Sequence, residues 1–367
     1  MPDDDSVSSA MTSIRIRPEL RAAQVKRAAL MTPATTLYFD EKYDLGQTAL
    51  SSAFRKVSFV QALKFVAFSD ASTLEVPEPL WLRFLPKNIV LVAFWKAFGV
   101  LRARKRSTVT YAIENNELNN LLCPHKRLPD FVLRFAEFCL GFLVRSMIDR
   151  IAYGSSAAAA LYESLPGVKA IRSALIEELP APAATRIEAQ PGGRQEALFI
   201  GELDNRKGIA HLMSAWPTVE QGLPSARLTI AGSGRLSEEV ETWCQLKPAS
   251  RVFAGFVQHE ALPKLLDAST VLLAPSCRDG RWREQIGLPI VEALAAGLTV
   301  VTTDETGLAQ WLAGNGHFVI SSGEVAGDLA AISEKALRAP LPKDEVRDSL
   351  PSVAGRIRAD SWLHAGG

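Results

Sequence analysis

Between residues 197 and 320 the chain alternates, at nearly even spacing, between short apolar strands and helices, and few sequence patterns narrow a fold more. Strands are predicted at 197–201, 227–231, 251–256, 270–274, 298–302 and 316–320, with helices near 208–216, 236–245, 259–267, 289–296 and 306–313. The run Leu-Thr-Val-Val-Thr at 298–302 is apolar and β-branched, as a strand covered on both faces should be. Parallel strands need a crossover between them, which helices supply. This half therefore predicts an α/β domain with a Rossmann-like parallel sheet.

The first half repeats the pattern less clearly. Residues 35–40 predict its first strand, followed by a polar loop with Gly46 and a helix beginning near Thr48. Residues 107–113 are its clearest strand, and 148–153 and 169–175 its last, with a helix over 155–165 between them. A Pro/Ala/Gly-rich stretch from Glu178 marks a linker, with the boundary near Gln190 to Arg194. The expected division is an irregular or disordered segment at 1–34, a first domain at 35–192, a second at 193–343 and a helical tail at 344–367, with Trp362 as its anchor. A chain of 367 residues is long enough for two domains.

Composition excludes several functions. A net charge of +1 gives no reason to expect a nucleic-acid partner. Cys123, Cys139, Cys244 and Cys277 show neither metal-ligand spacing nor a disulfide framework, which fits a reducing cytoplasm. No apolar run is long enough to span a bilayer, and the acidic start is unlike a secretory signal, so membrane contact, if any, is expected to be peripheral, at the inner face of the cell membrane. Two segments bear on it. Residues 89–101 are apolar and end in Arg102, Arg104, Lys105 and Arg106, and Phe131, Phe135, Phe138 and Phe142 share one helical face. They read either as a basic-rimmed lipid-facing surface or as core helices, the commoner meaning of a Phe stripe.

The stretch from Arg281 to Thr303 carries the chemistry: a loop, a short helix and a buried strand. Pro289 suits the first helical position and Gly297 the position just past the end. Glu284 in the loop and Glu292 in the first turn stand eight residues apart, and Gly287 between them allows close backbone approach. Free N–H groups at the helix start favour an anion, so the segment offers an anion cradle flanked by two acceptors for hydroxyl groups. A nucleoside diphosphate sugar has both features. The plainer alternative is a first-turn Glu opposing the helix dipole and a solvated loop carboxylate. At the end of the first strand of this half, Lys207 follows Gly201, Glu202 and Arg206 at a strand-to-helix turn, where a Lys can meet phosphate oxygens. Gly232 and Gly234 end the next strand.

The run Glu284-Gln285-Ile286-Gly287-Leu288-Pro289-Ile290-Val291-Glu292 resembles the E-x7-E signature of the retaining glycosyltransferases with GT-B architecture, family 4 in particular. The resemblance implies two Rossmann-like domains facing each other across a cleft, with the last helix crossing back to the first. It implies that Glu284 faces the donor sugar, Glu292 binds the ribose, and the backbone of Gln285, Ile286, Gly287 and Leu288 holds sugar and diphosphate. Lys207 matches the Lys of the family's G-R-x-x-x-x-K-G element, whose Arg and Lys grip the diphosphate. Glu202 replaces that Arg, and Arg206 can supply the charge, with Glu202 turned away or paired to it. Gly46 and Gly201 fall near the donor phosphates, and Gly232 and Gly234 beside the nucleotide. Glu114 aligns with a family His that faces acceptor or donor sugar, although Glu114-Asn115-Asn116-Glu117 also reads as a plain turn and cap.

On this resemblance the expected function is transfer of a hexose-type sugar from a UDP- or GDP-type donor to a glycan or lipid-linked acceptor with retention. Glu284, Lys207, Arg206 and Glu114 are the catalytic candidates, and neither metal nor cofactor is expected. Two alternatives stay open: another enzyme of the same architecture, such as an epimerase or phosphorylase, and a non-catalytic nucleotide-sugar-binding or scaffold protein.

Overall fold

The structure, a computed structural model, describes residues 12–42, 44–46, 48–183 and 195–365. The expected boundary at 190–194 and the start of the acidic N-terminus lie outside these residues. Two compact units are present: residues up to Glu177, less Ser155–Ala157, together with Arg356 onward, and the intervening Glu178–Gly355 with Ser155–Ala157.

The first unit holds a seven-stranded, all-parallel sheet in the order β3-β2-β1-β4-β5-β6-β7. Its elements are β1 (Ser13–Leu20), α1 (Ala22–Ala28), β2 (Thr35–Glu41), β3 (Phe54–Lys56), α2 (Phe59–Phe68), β4 (Thr73–Glu75), α3 (Leu85–Leu101), β5 (Ser107–Ala112), α4 (Leu118–Leu122), α5 (Asp130–Met147), β6 (Arg150–Tyr153), α6 (Ser156–Ser164) and β7 (Arg172–Leu175). One face is covered by α2, α3, α5 and α6, whose Val66, Leu91, Trp95, Val144 and Tyr162 meet Ile14, Ile16, Leu37, Leu74 and Ile151 of the sheet.

Two corrections follow. The sequence predicts an irregular segment over 1–34, but residues 13–28 form β1 and α1, and β1 is central to the sheet. The polar side of β1 hid it: Ile14 and Ile16 alternate with Arg15, which is buried, and Arg17, which is half-buried, both against carboxylates of distant sequence. The predicted helix near Thr48 begins instead at Phe59, where Ser58 and Gln61 make a capping box: the Gln61 N–H donates to Ser58 Oγ (3.3 Å) and the Ser58 N–H to Gln61 Oε1 (2.7 Å).

The second unit holds a six-stranded parallel sheet in the order β10-β9-β8-β11-β12-β13. Here the elements are β8 (Glu196–Ile200), α7 (Ile209–Gly222), β9 (Arg227–Ala231), α8 (Ser237–Gln245), β10 (Arg251–Gly255), α9 (Leu262–Ala268), β11 (Val271–Ala274), α10 (Leu288–Ala296), β12 (Thr299–Thr303), α11 (Ala309–Gly314), β13 (Phe318–Ile320), α12 (Val325–Arg338) and α13 (Lys343–Asp348). All six predicted strands are present within a residue or two. The final helix, α14 (Gly355–His364), packs from Arg356 onward in the first unit, where Ala359 and Leu363 meet Val109 and Ala152 with Trp362 alongside.

Charge secures α14. Glu75 accepts from Arg15 (2.7 Å), Arg17 (2.9 Å) and Arg356 (2.5 Å), and Asp360 accepts from Arg15 (2.6 Å) and the Thr32 N–H (2.6 Å). Glu75 and Asp360 are 1% and 0% exposed, so neither can be hydrated in place of these partners. Burial alone would raise the Glu75 carboxyl, but Arg356, Arg17 and Arg15 hold it well below the usual carboxylate range. His364 joins the same group, and the guanidiniums supply the positive charge that a metal ion would otherwise bring.

Glu75→Ala should cost about 3–5 kcal/mol, because it strands buried guanidiniums, and urea unfolding would read it. A loss under about 1 kcal/mol would put the network on a par with surface ion pairs. Glu75 has a depressed folded-state pKa, so its contribution is complete above the ordinary Glu value and is lost as pH falls below about 4 toward the folded one. Wild-type stability should drop in that window more steeply than that of the Ala variant.

Candidate functional site

In the second unit the chain runs outward from β8 through β9 to β10, then returns to the other side of β8 with β11. At such a reversal the loops leaving the two neighbouring strands diverge and leave a crevice at their carboxyl ends. Here those loops are 201–208 after β8 and 275–287 after β11, and they carry most of the predicted site.

The two loops are tied together. The Cys277 N–H donates to the Arg206 carbonyl (2.8 Å), and a Cβ on Gly208, whose φ is +76°, would lie 1.9 Å from the Pro275 carbonyl oxygen. Asp204 accepts the Arg206 N–H (3.1 Å) and so caps the short turn Asn205–Lys207. This fixes where Lys207 points. Its Nζ contacts Glu284 Oε2, and Ser276 Oγ donates to the same oxygen (3.2 Å). Lys207, Ser276, Glu284, Gly287 and Pro289 line one small pocket.

Arg206 pairs with Glu202, so the expected pairing of that departure is present. Trp282 adds an unanticipated feature: its ring lies under both cations, with Arg206 Cζ at 4.5 Å and Lys207 Nζ at 4.8 Å from the centroid. From sequence, the loop with Trp282 and its arginines reads either as lining the donor site or as a mobile surface loop, and nothing local says which side chains the ring will meet. Arg283 and Arg278 both turn to Glu305 (2.7 and 3.4 Å), which braces the loop from behind.

Gly287 caps α10 at φ +86° and ψ +93°, a backbone shape that L side chains rarely adopt, and a Cβ there would lie 3.0 Å from Ile290 Cδ1. The helix starts at Leu288, one residue before the predicted position, so Glu292 stands beyond the first turn. Dipole compensation is therefore a poor reason for a Glu at 292. Its carboxylate faces His259 Nδ1 (3.6 Å), in a second pocket of about 350 Å3 lined also by Leu262, Ala295 and Arg347. Burial raises the Glu292 pKa, with His259 opposing. Lys207 thus meets Glu284, Arg206 lies beside Lys207 over the Trp282 ring, and Glu292 lines a separate pocket.

The remaining predicted residues divide. The Gly307 N–H donates to the Gln285 carbonyl (3.0 Å) and Thr306 Oγ1 to the Ile286 carbonyl (3.0 Å), while Leu288 is largely exposed at the helix start. Gly201, Gly232 and Gly234 form the seam where the ends of β8 and β9 pack, with the Gly201 N–H on the Ala231 carbonyl and the Leu203 N–H on the Ser233 carbonyl.

Two predicted residues, Gly46 and Glu114, belong to the first unit. Gly46 follows β2, not the first strand as predicted, so it is away from the reversal of that sheet, which falls between β1 and β4. Glu114 Oε1 accepts the N–H groups of Asn115 (3.1 Å) and Asn116 (3.0 Å), the geometry of the turn-and-cap alternative. Glu78, just past β4, was not singled out from sequence, and no local motif marks it. Glu78 Oε2 accepts from the Ile113 and Glu114 N–H groups (3.0 and 2.9 Å) and from Tyr162 Oη (3.2 Å), and burial pushes its carboxyl up to about 8.

Known proteins resemble this chain in sequence and in fold. Residues 194–338 match the family described as glycosyl transferases group 1. The chain is 37% identical over 115 residues to an uncharacterized glycosyltransferase of Methanocaldococcus jannaschii, covering 31% of this chain and 28% of that protein. It is 25% identical over 366 residues to a 2-deoxystreptamine N-acetyl-D-glucosaminyltransferase of Streptomyces fradiae, covering 95% of this chain and 76% of the other. Among the first curated relatives it matches, the chain spans less than half of their length. Anabaena HepE, solved in complex with UDP, superposes with a TM-score of 0.60 over 96% of this chain and 95% of that one at 14% identity, a likeness of fold. Structural neighbours of this kind have the GT-B architecture, and each of the two units here is Rossmann-like.

Replacing Gly287 tests the loop geometry. Gly287→Ala should lower stability by about 1–3 kcal/mol through backbone strain, read as a fall in melting temperature, while Gly323→Ala, with open space around it, should leave stability unchanged.

Proposed function

We propose that this protein is a glycosyltransferase that moves a hexose-type sugar, with retention and without a metal, from a UDP- or GDP-type donor to a glycan or lipid-linked acceptor in the cytoplasm. The observation that carries the proposal is the Lys207–Glu284 contact at the sheet reversal, beside the start of α10. A cation and a sugar-grasping carboxylate from loops 77 residues apart meet where an α/β sheet binds ligands.

In this mechanism the donor diphosphate enters against Lys207 and takes it from Glu284. The released carboxylate then accepts hydrogen bonds from the donor sugar. Lys207, Arg206 and the amino end of α10 stabilise the charge that grows on the leaving diphosphate. Gln285, Ile286, Gly287 and Leu288 offer backbone to sugar and phosphate, and Glu292, in its half-buried setting, takes the ribose hydroxyls. Gly201, Gly232 and Gly234 border the nucleotide. The C–O bond to the leaving phosphate breaks as the acceptor oxygen bonds to the anomeric carbon on the same face. The acceptor proton passes to the departing phosphate oxygen, so no His is required, and Glu114 is the carboxylate assigned to the acceptor hydroxyl.

One observation favours a second reading, a non-catalytic nucleotide-sugar-binding or scaffold protein. Arg206 and Lys207 each already contact a carboxylate, Glu202 and Glu284, which lowers the net positive charge offered to a diphosphate.

A thermal-shift series with UDP-, GDP- and ADP-sugars separates the readings when paired with donor hydrolysis. Stabilisation with turnover supports the enzyme, and stabilisation without turnover the scaffold. Stabilisation by none would remove both. In the turnover assay, Lys207→Ala and Glu284→Gln should each lower kcat by about 10²–10³-fold, with unfolding curves confirming that each variant is folded at the assay temperature. Near-normal rates would take both residues out of the mechanism.

A further inference from the structure

Of the two readings of the Phe stripe, lipid-facing surface or core, the core one fails. Phe131, Phe135, Phe138 and Phe142 are 76, 69, 61 and 67% exposed, and α5 buries its other side through Leu140, Gly141, Val144 and Met147. Along the helix these four side chains run for about 16 Å, one per turn. Soluble surfaces seldom show an aromatic row of this length without a partner.

Neighbouring helices extend the same character. In α3, Val90, Phe94 and Leu101 are exposed at helical spacing, Val100 is 83% exposed, and α2 adds Phe68. Basic groups border these residues. Arg134 and Arg145 are exposed at helical spacing from the Phe row, and Arg102, Arg104 and Lys105 follow Leu101, with Asp70 paired to Arg104 (2.5 Å). Arg106, which the sequence grouped with them, is not part of the rim. Its guanidinium donates to the carbonyls of Val66, Trp95, Ala67 and Ser69 and lies over the Trp95 ring.

A second feature lies at the amino end of α5. His125, Lys126, Arg127, Asn119 and Asn120 line a pocket of about 580 Å3, with Glu117 as its acidic member. It has the size and charge to admit a phosphate head group.

We infer that this face docks on an anionic lipid bilayer, with the Phe row entering the interface and the head groups of phospholipids meeting Arg134, Arg145 and the pocket at His125–Arg127. The charge pattern favours a bilayer over a second copy of the chain. Self-association through this face would bring Arg134 and Arg145 toward their own copies, whereas a bilayer lets long basic side chains reach phosphates while aromatic rings stay apolar. No described helix is long and apolar enough to cross a membrane, so the contact is peripheral. The inference stands apart from sugar transfer, and its failure leaves that reading untouched.

The test is co-sedimentation of the full chain with vesicles of equal parts phosphatidylcholine and phosphatidylglycerol, and with phosphatidylcholine alone, alongside light scattering without lipid. The variants are Phe135→Ser/Phe138→Ser and Lys126→Ser/Arg127→Ser/Arg134→Ser, all exposed positions, with unfolding curves confirming the fold. Wild type should pellet with the anionic vesicles and far less with neutral ones. The Phe variant should bind at least about tenfold more weakly, and the basic variant should lose the preference for anionic lipid. Equal pelleting of wild type and both variants, or none by wild type, overturns the inference. A wild-type dimer that the Phe variant dissolves, without lipid binding, also overturns it in favour of self-association.

Discussion

A parallel sheet whose strand order turns back on itself must leave a gap between two outgoing loops, and the candidate site rests on that constraint. In the second unit the return from β10 to β11 sets loops 201–208 and 275–287 side by side. Their contact is then enforced by backbone, through the Cys277 N–H on the Arg206 carbonyl and by Gly208 lying against Pro275. Lys207 meets Glu284 because the backbone leaves that approach open. The side-chain pair is a consequence of topology as much as of charge.

The pair also bears on ligand entry. Lys207 and Glu284 are mostly shielded from solvent, at 18 and 14% side-chain exposure, so each would be poorly served without a partner. The diphosphate sugar proposed as donor would bring an anion for the first and hydroxyl groups for the second, and so would offer both a replacement. Trp282 lies under both Arg206 and Lys207 and so sets the two cations side by side.

The first unit shows how a buried charged cluster can serve architecture. Arg15, Arg17, Glu75, Arg356 and Asp360 join a central strand, a neighbouring strand and the last helix, and hydration cannot substitute for any of these contacts. The arrangement favours one register of α14, the one that brings its Arg356 and Asp360 to Glu75 and Arg15. On the opposite face the helix layer closes over an apolar core and leaves its outer Phe row uncovered. The two faces of one sheet are thus closed by different forces.

Much of this was legible in residue order. The strand at 298–302 could be read because, buried on both faces, it is a β-branched and largely apolar run. The loop–helix–strand around Glu284 and Glu292 could be read because Gly287, Pro289 and Gly297 act locally on the backbone. Three things could not be read. Strand β1 looked like a polar segment, since the charges that neutralise Arg15 and Arg17 lie 58 to 345 residues away in sequence. The exposure of the Phe row was hidden because α5 carries apolar residues on two faces, and periodicity does not say which of two stripes meets the sheet. Glu78 and Trp282 gained their settings from partners on other elements. Sequence alone determined the alternation, the caps and the presence of an acidic and basic motif, because these depend on near neighbours along the chain. Only the tertiary structure decided which charges are buried, which aromatic face is left outside, and that Lys207 reaches Glu284, because each depends on what the fold brings alongside.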